Sequence, residues 1–124
     1  MRIFKTKWFA RYARQEKITD AGLWEAVFRA ESGLIDAELG GHVIKQRVAR
    51  KGAGRSGGYR VILALRKADR AIFLYGFAKN ERDNINVDEL ATLKKIAADW
   101  LEADTAQIKR SIDQGILVEV TYEA

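Results

Sequence analysis

The hydrophobic positions along this chain switch several times between helical and strand spacing. Residues 2–5 predict a short strand, and two helices follow it. The apolar stripes of these helices are Trp8, Phe9, Tyr12 and Ala13, then Leu23, Trp24, Val27 and Phe28. We expect Thr19 or Asp20 to cap the second helix and Ser32-Gly33 to end it. Both stripes, including their aromatic rings, are expected to pack in a core against a sheet.

The middle of the chain predicts three strands, at residues 43–49, 59–66 and 71–78. A Gly40-Gly41 turn precedes the first strand. A glycine-rich loop at residues 52–58 joins the first two strands, and a tight turn at residues 68–70 joins the last two. Because these connections are short, the strands should form an antiparallel meander.

The last third of the chain predicts two helices and a strand. Asn86, with Glu89 three residues later, resembles a capping box and should begin a long helix. The apolar face of that helix is Leu90, Leu93, Ile96, Ala97, Trp100 and Leu101. A shorter helix over roughly residues 105–114 should end at Gly115. Alternation over residues 116–122 predicts an edge strand whose apolar side is Ile116, Val118, Val120 and Tyr122. These elements indicate one α+β domain.

Positive charge is concentrated in the predicted meander. The chain has 22 Lys and Arg against 17 Asp and Glu, a net charge of +5. Eight basic residues and no acidic one lie between Val43 and Lys67; without them, 14 basic residues face 17 acidic ones, or −3. Solvated surfaces normally mix both signs, so the cluster favours a face that binds a polyanion. The eight are Lys45, Arg47, Arg50, Lys51, Arg55, Arg60, Arg66 and Lys67.

The composition excludes several kinds of site. Without cysteine there can be no disulfide, zinc-thiolate site, Fe–S cluster or thiol nucleophile, and a single histidine, His42, gives little basis for a metal site. No apolar run approaches the ~20 residues that span a bilayer. The N-terminus lacks the apolar region of a signal peptide. We therefore expect a cytoplasmic protein that uses no metal, no cofactor and no membrane.

Strand alternation selects the basic residues that can act together. Side chains two apart share a face, so Lys45 and Arg47 should point the same way. Arg60 should do so with Ile62 on the next strand. Lys79 ends the third strand, on the expected face of Phe73, Tyr75 and Phe77. The meander can therefore gather one patch, with loop residues over it: Lys45, Arg47, Arg60 and Lys79, then Lys51 and Arg55.

Residues 52–57 match the pattern Gly-x-Gly-x-x-Gly. The dinucleotide-binding fingerprint needs that pattern between a strand and a helix, whereas a strand follows it here. We therefore reject a nucleotide-binding loop. The glycines are expected to form a flexible hairpin connection, in which the backbone can approach a phosphate closely.

Three segments in and beside the basic stretch carry a family resemblance. They are residues 40–49 (GGHVIKQRVA), 54–62 (GRSGGYRVI) and 75–85 (YGFAKNERDNI). In this order and spacing they resemble RelE-like toxins of the HigB branch of type II toxin–antitoxin systems, and the similarity runs from Met1 to about Leu101. The resemblance implies a small toxin with the RelE-like fold, in which N-terminal helices pack on a small antiparallel sheet. The predicted C-terminal helices and edge strand complete this picture.

The resemblance also implies an activity and partners. These are cleavage of mRNA in the ribosomal A site and neutralisation by a helix-turn-helix antitoxin; a homodimer is left open. Lys45 and Arg47 match residues near the scissile phosphate, and Arg60 matches one that stabilises the transition state. Asn80 stands where relatives have an arginine, so Lys79 or Arg82 is expected to supply that cation. The expected RNA contacts are Arg50, Lys51, Arg55, Tyr59 and Asn80.

Such cleavage has a clear chemical requirement. The 2′-OH of the RNA attacks the adjacent phosphate, which calls for a base, neutralisation of the phosphorane and a proton for the 5′-oxygen. Crowded cations favour the neutral, basic form of a lysine, so Lys45 is the candidate base. Arg47 and Arg60 would hold the phosphate through charge-assisted hydrogen bonds.

Two other functions stay open on the sequence alone. ParE-like toxins of the same superfamily poison DNA gyrase by binding, and the cationic face would then dock protein or DNA. A plain nucleic-acid-binding module would bind in a salt-sensitive way without cleavage. Tyr59 is the best candidate for stacking on a base, although core packing is the alternative for that ring.

Overall fold

The elements follow one another in the order that the hydrophobic spacing predicts, with one added strand. The computed structural model describes residues 1–50 and 54–122, and for residues 54–56 the main chain only. Within this part of the chain there are six strands and four helices. They are β1 (Arg2–Thr6), α1 (Lys7–Glu16), α2 (Asp20–Glu31), β2 (Ala37–Gly40), β3 (Val43–Arg50), β4 (Gly54–Arg66), β5 (Arg70–Ala78), α3 (Val87–Glu102), α4 (Thr105–Asp113) and β6 (Leu117–Glu119).

The described strands form one sheet in the order β2-β3-β4-β5-β1-β6. β3, β4 and β5 pair antiparallel, which confirms the predicted meander. β1 lies parallel to β5 and brings the N-terminus into the middle of the sheet, which the sequence pattern did not predict. β2 is the unpredicted strand and pairs with β3. The α+β fold class is confirmed, with a mostly antiparallel sheet.

Each face of the sheet has its own hydrophobic core. On one side, which we call the α1/α2 face, Phe9 and Leu23 pack against Leu63 of β4. On the other, the α3/α4 face, Leu93 packs with Ile62 of the same strand. Successive residues of β4 therefore enter opposite cores, so the burial on both sides fixes which way every side chain of this strand points.

Side-chain caps fix the start of every described helix. Thr6 accepts a hydrogen bond from Phe9 N at the start of α1, and Thr19 accepts one from Gly22 N at the start of α2. Thr19, not Asp20, is therefore the cap of α2. The predicted capping box of Asn86 and Glu89 is confirmed for α3. No helix in the described ranges is both long and apolar enough to cross a membrane.

The predicted buried stripe of α2 is partly wrong. Leu23 and Val27 are buried as expected, but the other buried positions are Ala26 and Ala30. Small alanines let the helix lie close to the sheet, and this rotates Phe28 outward until it is 50% exposed. On α1, Phe9 is buried but Trp8 is 43% exposed, where it stacks on Tyr12 and Tyr75.

The C-terminal strand is at the sheet edge, as predicted, but its buried side differs. β6 covers only Leu117–Glu119 and pairs with β1. Leu117 is buried against α3 and α4, and Val120, just past the strand, is buried against α1 and α2. Ile116, Val118 and Tyr122, assigned to the apolar side, are exposed. Of the predicted apolar side, only Val120 is therefore buried.

The glycine-rich segment is largely strand rather than loop. β4 already begins at Gly54, which pairs with Arg50 of β3, so the predicted loop at residues 52–58 is too long. Gly58 is buried, and its main-chain oxygen accepts a hydrogen bond from Lys79 N. A Cβ at this position would lie 2.3 Å from the main-chain oxygen of Val48. Gly58 is therefore required for close approach of β3.

Replacing Gly58 with alanine should destabilise the fold. The added methyl group meets main chain that cannot rotate away, and such overpacking costs about 1–3 kcal/mol or more. The measurement is the free energy of unfolding in urea. Gly22→Ala is the matched control: its Cβ would have ordinary contacts of 3.5 Å and 3.6 Å. As a helical glycine it should gain up to about 1 kcal/mol. Equal stabilities of the two variants would contradict the role given to Gly58.

Candidate functional site

The pairing of β3, β4 and β5 brings together three of the five predicted catalytic residues, Lys45, Arg47 and Arg60. Arg47 lies directly opposite Arg60, and Arg60 lies opposite Phe77. The adjacent row on this face, two residues further along each strand, consists of Lys45, Ile62 and Tyr75. Directly opposed side chains have Cβ atoms about 4.5–5.5 Å apart, and diagonal ones lie about 7–8 Å apart. Lys45, Arg47 and Arg60 therefore form one cluster, the cationic site, on the α3/α4 face.

A β-bulge in β5 decides which aromatic residue borders the cationic site. Ile62 pairs with Tyr75 while Leu63 pairs with Phe73, which leaves Leu74 as an extra residue. Leu74 and Tyr75 consequently both face α3 and α4, whereas Phe73 faces α1 and α2. The expectation that Phe73 shares a face with Tyr75 is wrong, because the bulge reverses the alternation between them.

Asp36, just before β2, is the acidic partner of Arg47. Its carboxylate accepts the Arg47 main-chain N–H at 2.6 Å and lies 3.3 Å from the Arg47 guanidinium. Arg29 of α2 approaches the same carboxylate at 3.4 Å and also donates to the Arg47 carbonyl oxygen. Burial works against ionisation of Asp36, but the hydrogen bond and the two cations outweigh it and hold its pKa below the ordinary value. Asp36 therefore orients Arg47 as a counter-ion.

Gln46 fixes the position of Asp36 from inside the core. Its side chain is fully buried, and its Oε1 accepts the Asp36 main-chain N–H at 2.7 Å. Its Nε2 donates to the carbonyl oxygens of Ala26 and Leu34 at 2.9 Å and 3.2 Å. Every polar atom of Gln46 is thus satisfied, which is what allows an amide to be buried. Through these bonds α2 and the segment before β2 are held against β3.

Arg60 experiences the crowding of the cationic site. Burial, and then the charge of Arg47, lower its pKa, while Asp36 opposes the shift. Arginine stays protonated under all ordinary conditions, so this shift does not change the charge of Arg60.

Arg82, predicted as a possible catalytic cation, is bound within the protein. It forms a bidentate pair with Glu89 of α3, with N–O distances of 2.6 Å and 3.1 Å. It also donates to Asn84 O at 2.9 Å and to the Tyr75 hydroxyl at 3.3 Å, and lies over the Phe77 ring. Hydrogen bonds from Arg82, and then from Asn86 N, lower the pKa of Glu89 to about 2. Arg82 thus joins the segment after β5 to α3.

The structure also describes three other predicted site residues, Lys79, Asn80 and Arg50. Lys79 is exposed in the turn directly after β5, beside Asn80. Arg50 lies over the Tyr59 ring, with its guanidinium carbon 5.7 Å from the ring centroid. This ring belongs to the core of the α1/α2 face, so Arg50 is not in the row of Arg47 and Arg60.

The assignment of Tyr59 as a stacking platform is wrong. Its side chain is only 4% exposed and packs in the α1/α2 core, and its hydroxyl group donates to Glu16. Tyr59 pairs with Val48 in the register and therefore points away from Lys45 and Arg47. Lys51 and the Arg55 side chain, also predicted to contact RNA, lie outside the described residues.

Two residues of the site were not predicted, Asp36 and Asn84. Asp36 is 11 residues before Arg47 and lies in a segment with no strand pattern, so local spacing carries no signal for their contact. Asn84 accepts a hydrogen bond from Lys45 Nζ at 3.4 Å across 39 residues. Over the described residues, no group of three His, Cys, Asp or Glu side chains could hold a metal ion.

Residues 1–120 of the chain match a family model described as the RelE toxin of the RelE / RelB toxin-antitoxin system. Among curated proteins there is no significant match. The family match covers all of the elements described above, including the cationic site.

Asp36→Asn should destabilise the protein at neutral pH. The amide keeps the size and one acceptor oxygen but removes the charge that Arg29 and Arg47 face. We expect a loss of about 1.5–3 kcal/mol in unfolding free energy, the range for hydrogen bonds to charged groups. Because the folded state lowers the pKa of Asp36, its stabilisation is present above the unfolded value of about 3.9 and is lost as pH falls through the folded value. Urea unfolding at several pH values should therefore show the two proteins converging below about pH 4.

Asp69→Asn provides the control for this experiment. Asp69 also pairs with an arginine, Arg66, but both side chains are nearly half exposed. Surface pairs contribute about 0–1 kcal/mol, so the loss should be small. An Asp36 variant that is no less stable than the Asp69 variant would show that Asp36 is an ordinary surface carboxylate.

Proposed function

This chain belongs to the RelE toxin family of toxin–antitoxin systems, and from that premise we propose that it is a ribosome-dependent mRNA endonuclease. The observation that carries the proposal is the direct pairing of Arg47 with Arg60, with Lys45 diagonal to Arg60. Two guanidinium groups and one amine thus start from neighbouring positions on one face, and in the proposal a single phosphate contacts all three. The family also implies a cognate antitoxin, for which we propose a helix-turn-helix protein. Placement in the HigB branch stays a prediction.

In the proposed reaction the RNA supplies its own nucleophile. Lys45 takes the proton of the 2′-OH, whose oxygen attacks the adjacent phosphorus. Arg47 and Arg60 donate to the non-bridging oxygens as negative charge develops. The bond to the 5′-oxygen breaks, leaving a 2′,3′-cyclic phosphate, and the 5′-oxygen takes up a proton from water. Because Arg82 is bound to Glu89, we assign the cation near the leaving group to Lys79.

The ribosome has a physical role in this scheme. The Arg47 side chain is 45% exposed, so RNA can reach the cationic site, but a flexible RNA must still be aligned for in-line attack. Holding the reacting groups in line can account for several orders of magnitude in rate. A ribosome that fixes the mRNA in its A site would supply that alignment. The protein need then provide only the base and the cations.

Alanine at Lys45 or Arg60 should abolish cleavage without unfolding the protein. Loss of a general base costs about 10²–10⁴-fold in rate, and loss of one transition-state donor about 10²–10³-fold. Single-turnover cleavage of labelled mRNA on programmed ribosomes measures the rate, and circular dichroism checks the fold. Lys67→Ala is the charge-matched control, since this exposed lysine lies in the turn after β4, away from the row of Arg60. It should cleave as the unmodified protein does.

The alternatives give different results when the protein and its two alanine variants are expressed in cells. If both alanine variants remain fully toxic, the cationic site is misplaced. If expression of the unmodified protein induces DNA damage while mRNA stays intact, a gyrase-directed function replaces the proposed one. Salt-sensitive RNA binding with no cleavage on ribosomes would identify a plain binding module.

A further inference from the structure

Resting on the proposed function, we propose that Asn84 is the positioning residue for Lys45. In this proposal, its neutral carboxamide oxygen directs the amine towards the scissile phosphate without supplying an anion that would keep the amine protonated. Asn84 is exposed, lies in the segment between β5 and α3, and meets Lys45 across the sheet surface.

The oxygen that meets Lys45 is itself fixed. Asn84 Oδ1 accepts the main-chain N–H of Ile85 at 2.9 Å, and Lys45 Nζ approaches the same atom at 3.4 Å. The shorter bond sets the orientation of the carboxamide, and the longer one guides a flexible lysine. At 3.4 Å the contact is long for a hydrogen bond, so it directs the amine without holding it tightly. In the proposed reaction the amine must move towards the 2′-OH, and a weak hydrogen bond permits this movement.

The main chain of Asn84 is fixed as well, through Arg82 and α3. Arg82 Nε donates to the Asn84 carbonyl oxygen at 2.9 Å, and the Arg82 guanidinium is held by Glu89. Glu89 in turn accepts the Asn86 main-chain N–H at 2.8 Å within the capping box of α3. Asn84 is therefore connected to the first turn of a 16-residue helix. This support is what makes its side-chain oxygen a fixed reference point for Lys45.

The choice of an amide rather than a carboxylate matters for a lysine base. A carboxylate beside an ammonium group favours the charged form, whereas a neutral oxygen accepts a hydrogen bond with a much smaller preference. Among the described residues, the charged and titratable groups placed around Lys45 are Arg47 and Arg60 on the paired strands, Tyr75 in the same row, and Arg82 and Glu89, which bind each other beside Asn84. Asp36 is held by Arg47, and Lys79, Glu81 and Asp83 are exposed in the segment that leads to Asn84.

Asn84→Asp tests this inference with almost no change of shape. The carboxylate can still accept from Ile85 N and Lys45, but it adds an anion beside the amine. Single-turnover cleavage at saturating ribosome concentration would be measured between pH 6 and pH 9, with folding checked by circular dichroism. We expect the acidic limb of the pH–activity profile to move up by about one unit, with about tenfold slower cleavage at neutral pH and recovery at alkaline pH.

Asn86→Asp is the matched control in the same segment. Aspartate caps a helix as well as asparagine does, so this variant adds the same charge while keeping the contact with Glu89 N. Its pH–activity profile should coincide with that of the unmodified protein. Asn84→Ala removes the guiding oxygen and adds no charge; we expect about tenfold slower cleavage or more with the profile in its original place.

Each outcome separates this inference from the proposed function. An Asn84→Asp profile that coincides with the unmodified one, or that is lowered equally at every pH, would overturn the role given to Asn84. Wild-type cleavage by Asn84→Ala would do the same. Lys45→Ala is measured beside them: if it is inactive while the Asn84 variants behave as wild type, the proposed function stands and only the positioning role fails. If Lys45→Ala cleaves normally, both fail.

Discussion

Two arginines held directly opposite each other on neighbouring strands are the constraint from which the candidate site follows. Like charges in such a pair destabilise a sheet, so the register of β3 and β4 must be held by other contacts. A slip of one residue would turn Val61 and Leu63 out of the α1/α2 core, in which both are fully buried. Gln46 adds buried hydrogen bonds that hold β3 against α2 and the segment before β2. Apolar burial and one amide thus hold the cations together.

The counter-ion of Arg47 leaves part of its guanidinium accessible. Asp36 pairs with Arg47, yet the Arg47 side chain remains 45% exposed. Asp36, placed at the rim by β2 and Gln46, orients Arg47 and leaves its outer side open. In the proposed function, the phosphate binds at this open side.

The residues that period-two alternation governs were predictable from the sequence. Lys45, Arg47 and Arg60 lie on one face because β3 and β4 keep regular pairing over that stretch. Prediction failed where a non-local contact or an irregularity decides the outcome. The bulge at Leu74 reversed the face of Phe73, and the alanines of α2 rotated Phe28 into solvent. Asp36 and Asn84 reach the site through contacts that span 11 and 39 residues, for which a single sequence holds no periodic signal.

The two supporting residues differ in a way that follows from the side chains they serve. An arginine stays charged whatever lies beside it, so a carboxylate such as Asp36 can orient it without altering its state. The charge of a lysine depends on its neighbours, so the same carboxylate beside Lys45 would favour the protonated form and oppose its use as a base. A neutral amide is the oxygen acceptor that gives direction without this penalty. An aspartate beside Arg47 therefore suits the proposed phosphate binding, and an asparagine beside Lys45 suits the proposed proton transfer.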